Sequence, residues 1–211
     1  VGRGNDARAG ARRDAGGAGP AAEQDAQPAA PAAGSARAAP RALTRGQRMS
    51  TRIHCCDQRR LEVIKLGGTA NGIEFIEVLD KASPPGAPRQ QTLFVRLLRT
   101  GFTLTPDNLR SEGGERIRTV GIEWCAPANA QPADAEPGLV DTVDDLAHTL
   151  VVRTDNNGDH SIYTLAIVAN SASTTPPAGY DPKLSRLEFS FKVECPSDYD
   201  CAQTPACPPA V

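Results

Sequence analysis

The clearest period along the chain is two. Leu187, Phe189, Phe191 and Val193 are apolar and alternate with Glu188, Ser190, Lys192 and Glu194, the pattern of a strand with one buried face. The same reading predicts strands over 73–79 (IEFIEVL), 92–98 (TLFVRLL), 117–124 (IRTVGIEW), 149–153 and 161–168. β-Branched and aromatic residues fill these runs and suit a pleated, half-buried surface. A helical spacing occurs over 59–66, where Leu61 and Ile64 lie about one turn apart before Gly67-Gly68 stops the run. Turn signals punctuate the rest. The Asn157-Gly158 pair within 155–159 predicts a β-hairpin joining 149–153 to 161–168. Residues 126–145, rich in Pro, Ala and acids, read as a variable surface loop, and 171–180 as a second loop. Short strands at this spacing predict a mainly β chain, an immunoglobulin-like β-sandwich.

Composition sharpens the boundaries. Residues 1–48 hold only Val1 and Leu43 as apolar side chains larger than alanine, proline apart. Such a stretch cannot bury enough surface to offset its ordering entropy and is expected to be a disordered extension. The chain's one methionine, Met49, stands where composition changes, which suggests a native start there. The expected organisation is thus 1–48 extension, 49–70 a Cys-Cys lead-in with a short helix, 71–194 the β-sandwich and 195–211 a cysteine-rich tail. Formal net charge is −2 and the pI about 6.0, so no domain-wide basic field points to nucleic acid or an anionic membrane. With no spanning run and no secretory core, the expected compartment is the cytoplasm, where thiols stay reduced.

The candidate chemistry lies in six cysteines. Cys195, Cys201 and Cys207 recur at six-residue steps, and Cys55, Cys56 and Cys125 lie upstream. Four thiolates can hold zinc or an iron–sulfur cluster. The gaps are wider than in zinc ribbons, which favours a cluster held by the three tail cysteines with Cys55 or Cys56 as fourth ligand. The alternatives are reduced structural thiols or a disulfide across Cys195 and Cys201. Asp155, Asn157 and Asp159 resemble the start of a calcium loop, but its glycine falls early and the closing glutamate is missing, so a turn is the better reading. Asp198 and Asp200 read as turn residues, His54, His148 and His160 are scattered, and Trp124 and Tyr180 suit a core or its rim. No phosphate loop, HExxH or GxSxG motif occurs. The expectation is a non-enzyme without a small-molecule substrate.

Cys55-Cys56-Asp57, NGIEFIEVLD at 71–80, TLFVRLLR at 92–99 and FSFKVECPSDYDC at 189–201 together resemble the N-terminal part of baseplate assembly proteins, the baseplate J-like wedge subunits of phage-tail-like contractile injection systems. The resemblance spans roughly 53–207. It implies a structural subunit that packs against other wedge and hub proteins and is assembled in the cytoplasm into a phage-tail-like particle. It also implies a cysteine tail suited to a cluster or metal site built from Cys195, Cys201 and Cys207 with Cys55 or Cys56. Family members continue into further domains, so the chain is expected to be a fragment. Two other readings remain open: a metal- or cluster-binding redox sensor, and a disulfide-containing immunoglobulin-like binding module.

Overall fold

The structure, a computed structural model, describes residues 52–193. The chain divides into units Val1–Thr44 and Arg45–Val211, and the described residues belong to the second. The expected extension 1–48, its Met49 boundary and the tail cysteines Cys195, Cys201 and Cys207 lie outside them.

The described chain is mainly β. Strands β1 (Arg52–His54), β2 (Ile73–Leu79), β3 (Thr92–Leu97), β4 (Leu109–Gly113), β5 (Thr119–Val120), β6 (Ile122–Pro127), β7 (Thr149–Thr154), β8 (Tyr163–Ile167) and β9 (Arg186–Phe189) build two antiparallel sheets. Their orders are β1-β2-β3-β7-β6 and β5-β4-β8-β9. One apolar core lies between them. Ile76, Val78, Leu93, Val95, Leu150 and Val152 from the first sheet meet Leu109, Leu165, Ile167, Leu187 and Phe189 from the second. Each such side chain contributes about 1.5–3 kcal/mol on burial. The alternation read at 187–193 holds in part: Leu187, Phe189 and Phe191 are buried and Val193 packs on the core, but β9 ends at Phe189 and Ser190, expected on the outer face, is buried. Phe189 and Phe191 meet edge to face at 4.8 Å, and Tyr163 completes the aromatic cluster.

Helix α1 (Gln58–Gly67), the one α-helix among the described residues, matches its expectation. The Asp57 side chain caps it by accepting from the Arg60 amide at 3.1 Å, and the Gly68 N–H closes the last turn on the Ile64 carbonyl. Leu61 and Ile64 face the core.

Three local readings are corrected. The Asn-Gly turn does not form a hairpin, because β3 and β6 occupy both edges of β7. With no free edge available, β8 crosses to the second sheet and pairs with β4 and β9. Gly158 still takes a positive φ of 56°, and a Cβ there would collide with the Phe191 ring. The run 117–124 is likewise two strands. At Gly121 the chain leaves β5 in one sheet for β6 in the other, and the Gly121 N–H donates to Asp155 Oδ1 at 2.9 Å. Any side chain at 121 would strike that carboxylate. The third correction concerns the loop at 126–145, which folds back onto the first sheet.

Candidate interaction surfaces

On β2, β3 and β7 the residues facing away from the central core include Leu79, Phe94 and Val151, all buried. Strict alternation would leave them in water. The loop after β6 covers them with Ala128 and Leu139, and Trp124, Val140 and Val143 pack around this second apolar cluster. Arg153, only 5% exposed, lies on the same face. Its guanidinium donates to both Glu136 oxygens, at 2.9 and 2.6 Å, and lies 5.4 Å from the Trp124 ring centroid. The hydrogen bond from Arg153 holds the Glu136 carboxyl below its usual range, outweighing the opposing effect of burial. Farther along, Asp145 takes an ion pair from Arg96 at 3.2 Å and a contact from His148 Nδ1 at 2.9 Å. Arg52 pairs with Glu77 at 3.2 Å and Asp144 at 3.1 Å.

The outer face of the second sheet differs. The register places Arg110, Ala166 and Arg186 in one row and Glu112, Thr164 and Glu188 in the next. Arg186, Glu112 and Glu188 are exposed, and the second apolar cluster has no counterpart there among the described residues.

A third surface lies at the end of the sandwich beside α1. Arg60 binds Asp181 with Nε 2.8 Å from each carboxylate oxygen, and a second nitrogen reaches Oδ2 at 2.7 Å. This hydrogen-bonded partner, aided by the Lys183 and Leu184 amides, holds the Asp181 carboxyl below the ordinary range. Arg99 donates to the carbonyls of Ile64 and Gly68 and so caps the C-terminal end of α1. Asn71 accepts from the Arg99 amide at 2.9 Å, and its own backbone bonds to Gly179 and Asp181. These bonds fix the walls of an open groove of about 350 Å³, lined by Thr69, Phe102, Leu104, Ala178 and Tyr180. On the exposed side of α1, Val63 is 68% and Leu66 89% exposed, one turn apart.

The expected thiol site is only partly within view. Cys55 is buried and carries a free thiol, as does the half-buried Cys125, whereas Cys56 is disulfide-bonded instead of reduced. Burial raises the Cys55 pKa and pushes the Cys125 thiol up to about 11, which disfavours thiolate in both. Among the described residues no three His, Cys, Asp or Glu side chains gather as a metal set. Asp155 and Asp159 serve the backbone as turn acceptors. Desolvation alone would raise the Asp159 carboxyl, but bonds from the Ile117, Arg116 and Ser161 amides outweigh it and hold it well below the usual range. The Glu136–Arg153 and Arg60–Asp181 pairs were missed in the sequence, since each joins residues with no common motif.

The described residues form a two-sheet domain with one outer face covered by its own loop and with Val63 and Leu66 exposed on α1. The comparison with known families makes this specific: residues 49–189 match the phage baseplate assembly protein, N-terminal domain. The chain belongs to that family and is a baseplate component whose role entails contact with other baseplate proteins. The match ends at 189, so the strand motifs lie within it and most of the cysteine motif lies beyond it. No curated protein and no solved structure matches the chain. Among the described residues no helix is long and apolar enough to cross a membrane.

Proposed function

We propose that the chain is the N-terminal adapter of a baseplate wedge subunit in a phage-tail-like contractile injection system, assembled in the cytoplasm. It acts through protein interfaces and has no catalytic role. The observation that carries this reading is the family match over the whole two-sheet domain. The exposed Val63 and Leu66 support a protein contact, because large apolar side chains at this exposure gain from a partner's cover. In this reading the rigid sandwich holds neighbouring wedge and hub subunits and transmits their rearrangement toward the sheath. Fractionating purified particles into baseplate, tube and sheath tests it. The chain is expected in the baseplate fraction in fixed ratio to the other wedge proteins; recovery with tube or sheath alone would overturn the assignment.

A cluster or zinc held by Cys195, Cys201 and Cys207 with Cys55 or Cys56 is proposed only for the reduced chain. Cys56 must first leave its disulfide, and Cys55 must ionise against burial. Zinc, iron and sulfide analysis after anaerobic reduction tests it: one metal site per chain is expected, and a metal-free folded protein would end this reading.

A further inference from the structure

We propose that the folded chain closes a covalent cross-link within itself, an isopeptide bond from Lys192 Nζ to the side-chain carbonyl carbon of Gln90, with Asp80 carrying the proton. The inference goes beyond the contact module. It is a single-turnover reaction of the chain on itself, with ammonia as its product and no outside substrate.

Gln90 lies just before β3 of the first sheet and Lys192 just after β9 of the second. Both are anchored through their neighbours. The Gln91 carbonyl accepts from the Thr154 amide at 2.8 Å and from its hydroxyl at 3.1 Å, and Phe191 is fully buried in the core. Lys192 Nζ then stands 2.7 Å from Gln90 Oε1 and 3.0 Å from the Asn157 carbonyl. The other end of the same amide is gripped as well: Gln90 Nε2 donates to Asp80 Oδ2 at 2.8 Å. Only this orientation satisfies both neighbours, since a flipped amide would set its NH2 against Nζ and its oxygen against the carboxylate. The Asp80 side chain has no exposed surface, and Arg89 holds its other oxygen from Nε at 2.8 Å and from Nη2 at 2.6 Å. Gln90 is also the one residue other than glycine among the described residues with a positive φ, 60°. That conformation is costly for a residue with a Cβ, and here it sets the amide between Asp80 and Lys192.

This arrangement supplies what acyl transfer needs. A carbonyl bond is ~1.2 Å long, so Nζ lies within ~3.9 Å of Gln90 Cδ, close to the ~3–3.5 Å of a reacting pair. Attack requires a neutral amine, and burial lowers the Lys192 pKa from its ordinary value, against the opposing pull of the Asp80 and Asp159 charges. The Nζ lone pair forms the Nζ–Cδ bond, the Cδ–Nε2 bond breaks, and its electron pair leaves with the nitrogen. Asp80 takes the proton that Nζ sheds and delivers it to Nε2, which departs as ammonia. The step is redox-neutral. Its product joins residues 102 positions apart and staples the segment after β9 to the entry of β3.

Mass spectrometry of the reduced full chain tests this. The folded protein is expected to weigh one ammonia less than its sequence, and trypsin should yield a branched peptide joining Gln90 to Lys192, uncut after Lys192. Lys192→Arg should keep the full sequence mass. Asp80→Asn should slow the appearance of the branch at least about tenfold; where that variant fails to fold, the wild-type peptide map decides alone. A folded wild-type chain at full sequence mass would overturn the proposal. So would an ammonia loss that maps to Asn157-Gly158 as a succinimide, or one that persists in Lys192→Arg. None of these outcomes bears on whether the chain is found in the baseplate, so the two readings fail separately.

Discussion

The two outer faces of the sandwich obey the same period of two and meet opposite fates. On the first sheet the outward positions include Leu79, Phe94 and Val151, and a loop must cover them. On the second sheet the outward positions are Arg110, Glu112, Thr164, Ala166, Arg186 and Glu188, of which Glu112, Arg186 and Glu188 are solvated, Arg110 pairs with Glu112 and only the small Ala166 is buried. A strand therefore declares its environment through both of its faces. All six residues of β7, TLVVRT, are buried, as expected of a central strand packed on two sides.

The largest test of this contrast lies under the loop. Phe94→Ala should cost about 3–5 kcal/mol, and Leu139→Ala, on the loop itself, about 2–4 kcal/mol, both read as a lower denaturant midpoint at unchanged m. A loss below ~1 kcal/mol at Leu139 would mean that the loop is not a structural cover. Next comes the clip between loop and sheet. Glu136→Ala leaves the buried Arg153 guanidinium without its carboxylate and should cost about 3 kcal/mol, whereas simultaneous Arg153→Met should recover most of that loss.

Acid should act in the same direction, more gently. Glu136 and Asp181 have folded pKa values below their unfolded ones. Their contribution is therefore fully present above the unfolded carboxylate values, near ~4, and is lost as pH falls through the lower folded values. Thermal unfolding followed from pH 6 downward should show stability declining below about pH 4, with the Glu136→Gln protein less sensitive. The smallest effect belongs to the bare face. Glu188→Gln should change stability by no more than ~0.5 kcal/mol; a larger loss would reveal a structural duty for the charged rows.

The strands at 73–79 and 92–97 and the alternation at 187–193 were readable because one face of each is buried without interruption. The helix expected over 59–66 was readable because Leu61, Ile64 and the Gly67-Gly68 stop act locally, whereas its Asp57 cap was not read. Sheet membership was not. The Asn157-Gly158 signal specifies a reversal of the backbone, and whether the next strand pairs with the previous one depends on edges already taken by β3 and β6. The cover at 128–143 was hidden for a related reason: Leu139 and Val143 are sparse among Pro, Ala and Asp, and their apolar partners lie in strands far away in sequence. Of the candidate thiol site, the local half was readable as residues but not as chemistry. Burial of Cys55 and the disulfide at Cys56 follow from the fold and from pairing at long range.

Membership of the baseplate family implies that this domain binds other baseplate proteins. The most direct measurement is the affinity of the full chain for the other wedge and hub proteins of its own particle, compared with the double variant Val63→Asp, Leu66→Asp. These side chains are exposed, so the variant should retain the wild-type unfolding midpoint. Saturable binding to at least one such protein is expected, with a loss of at least tenfold in the variant, about 1.4 kcal/mol. Absence of binding to every wedge and hub protein by a folded full chain would contradict it.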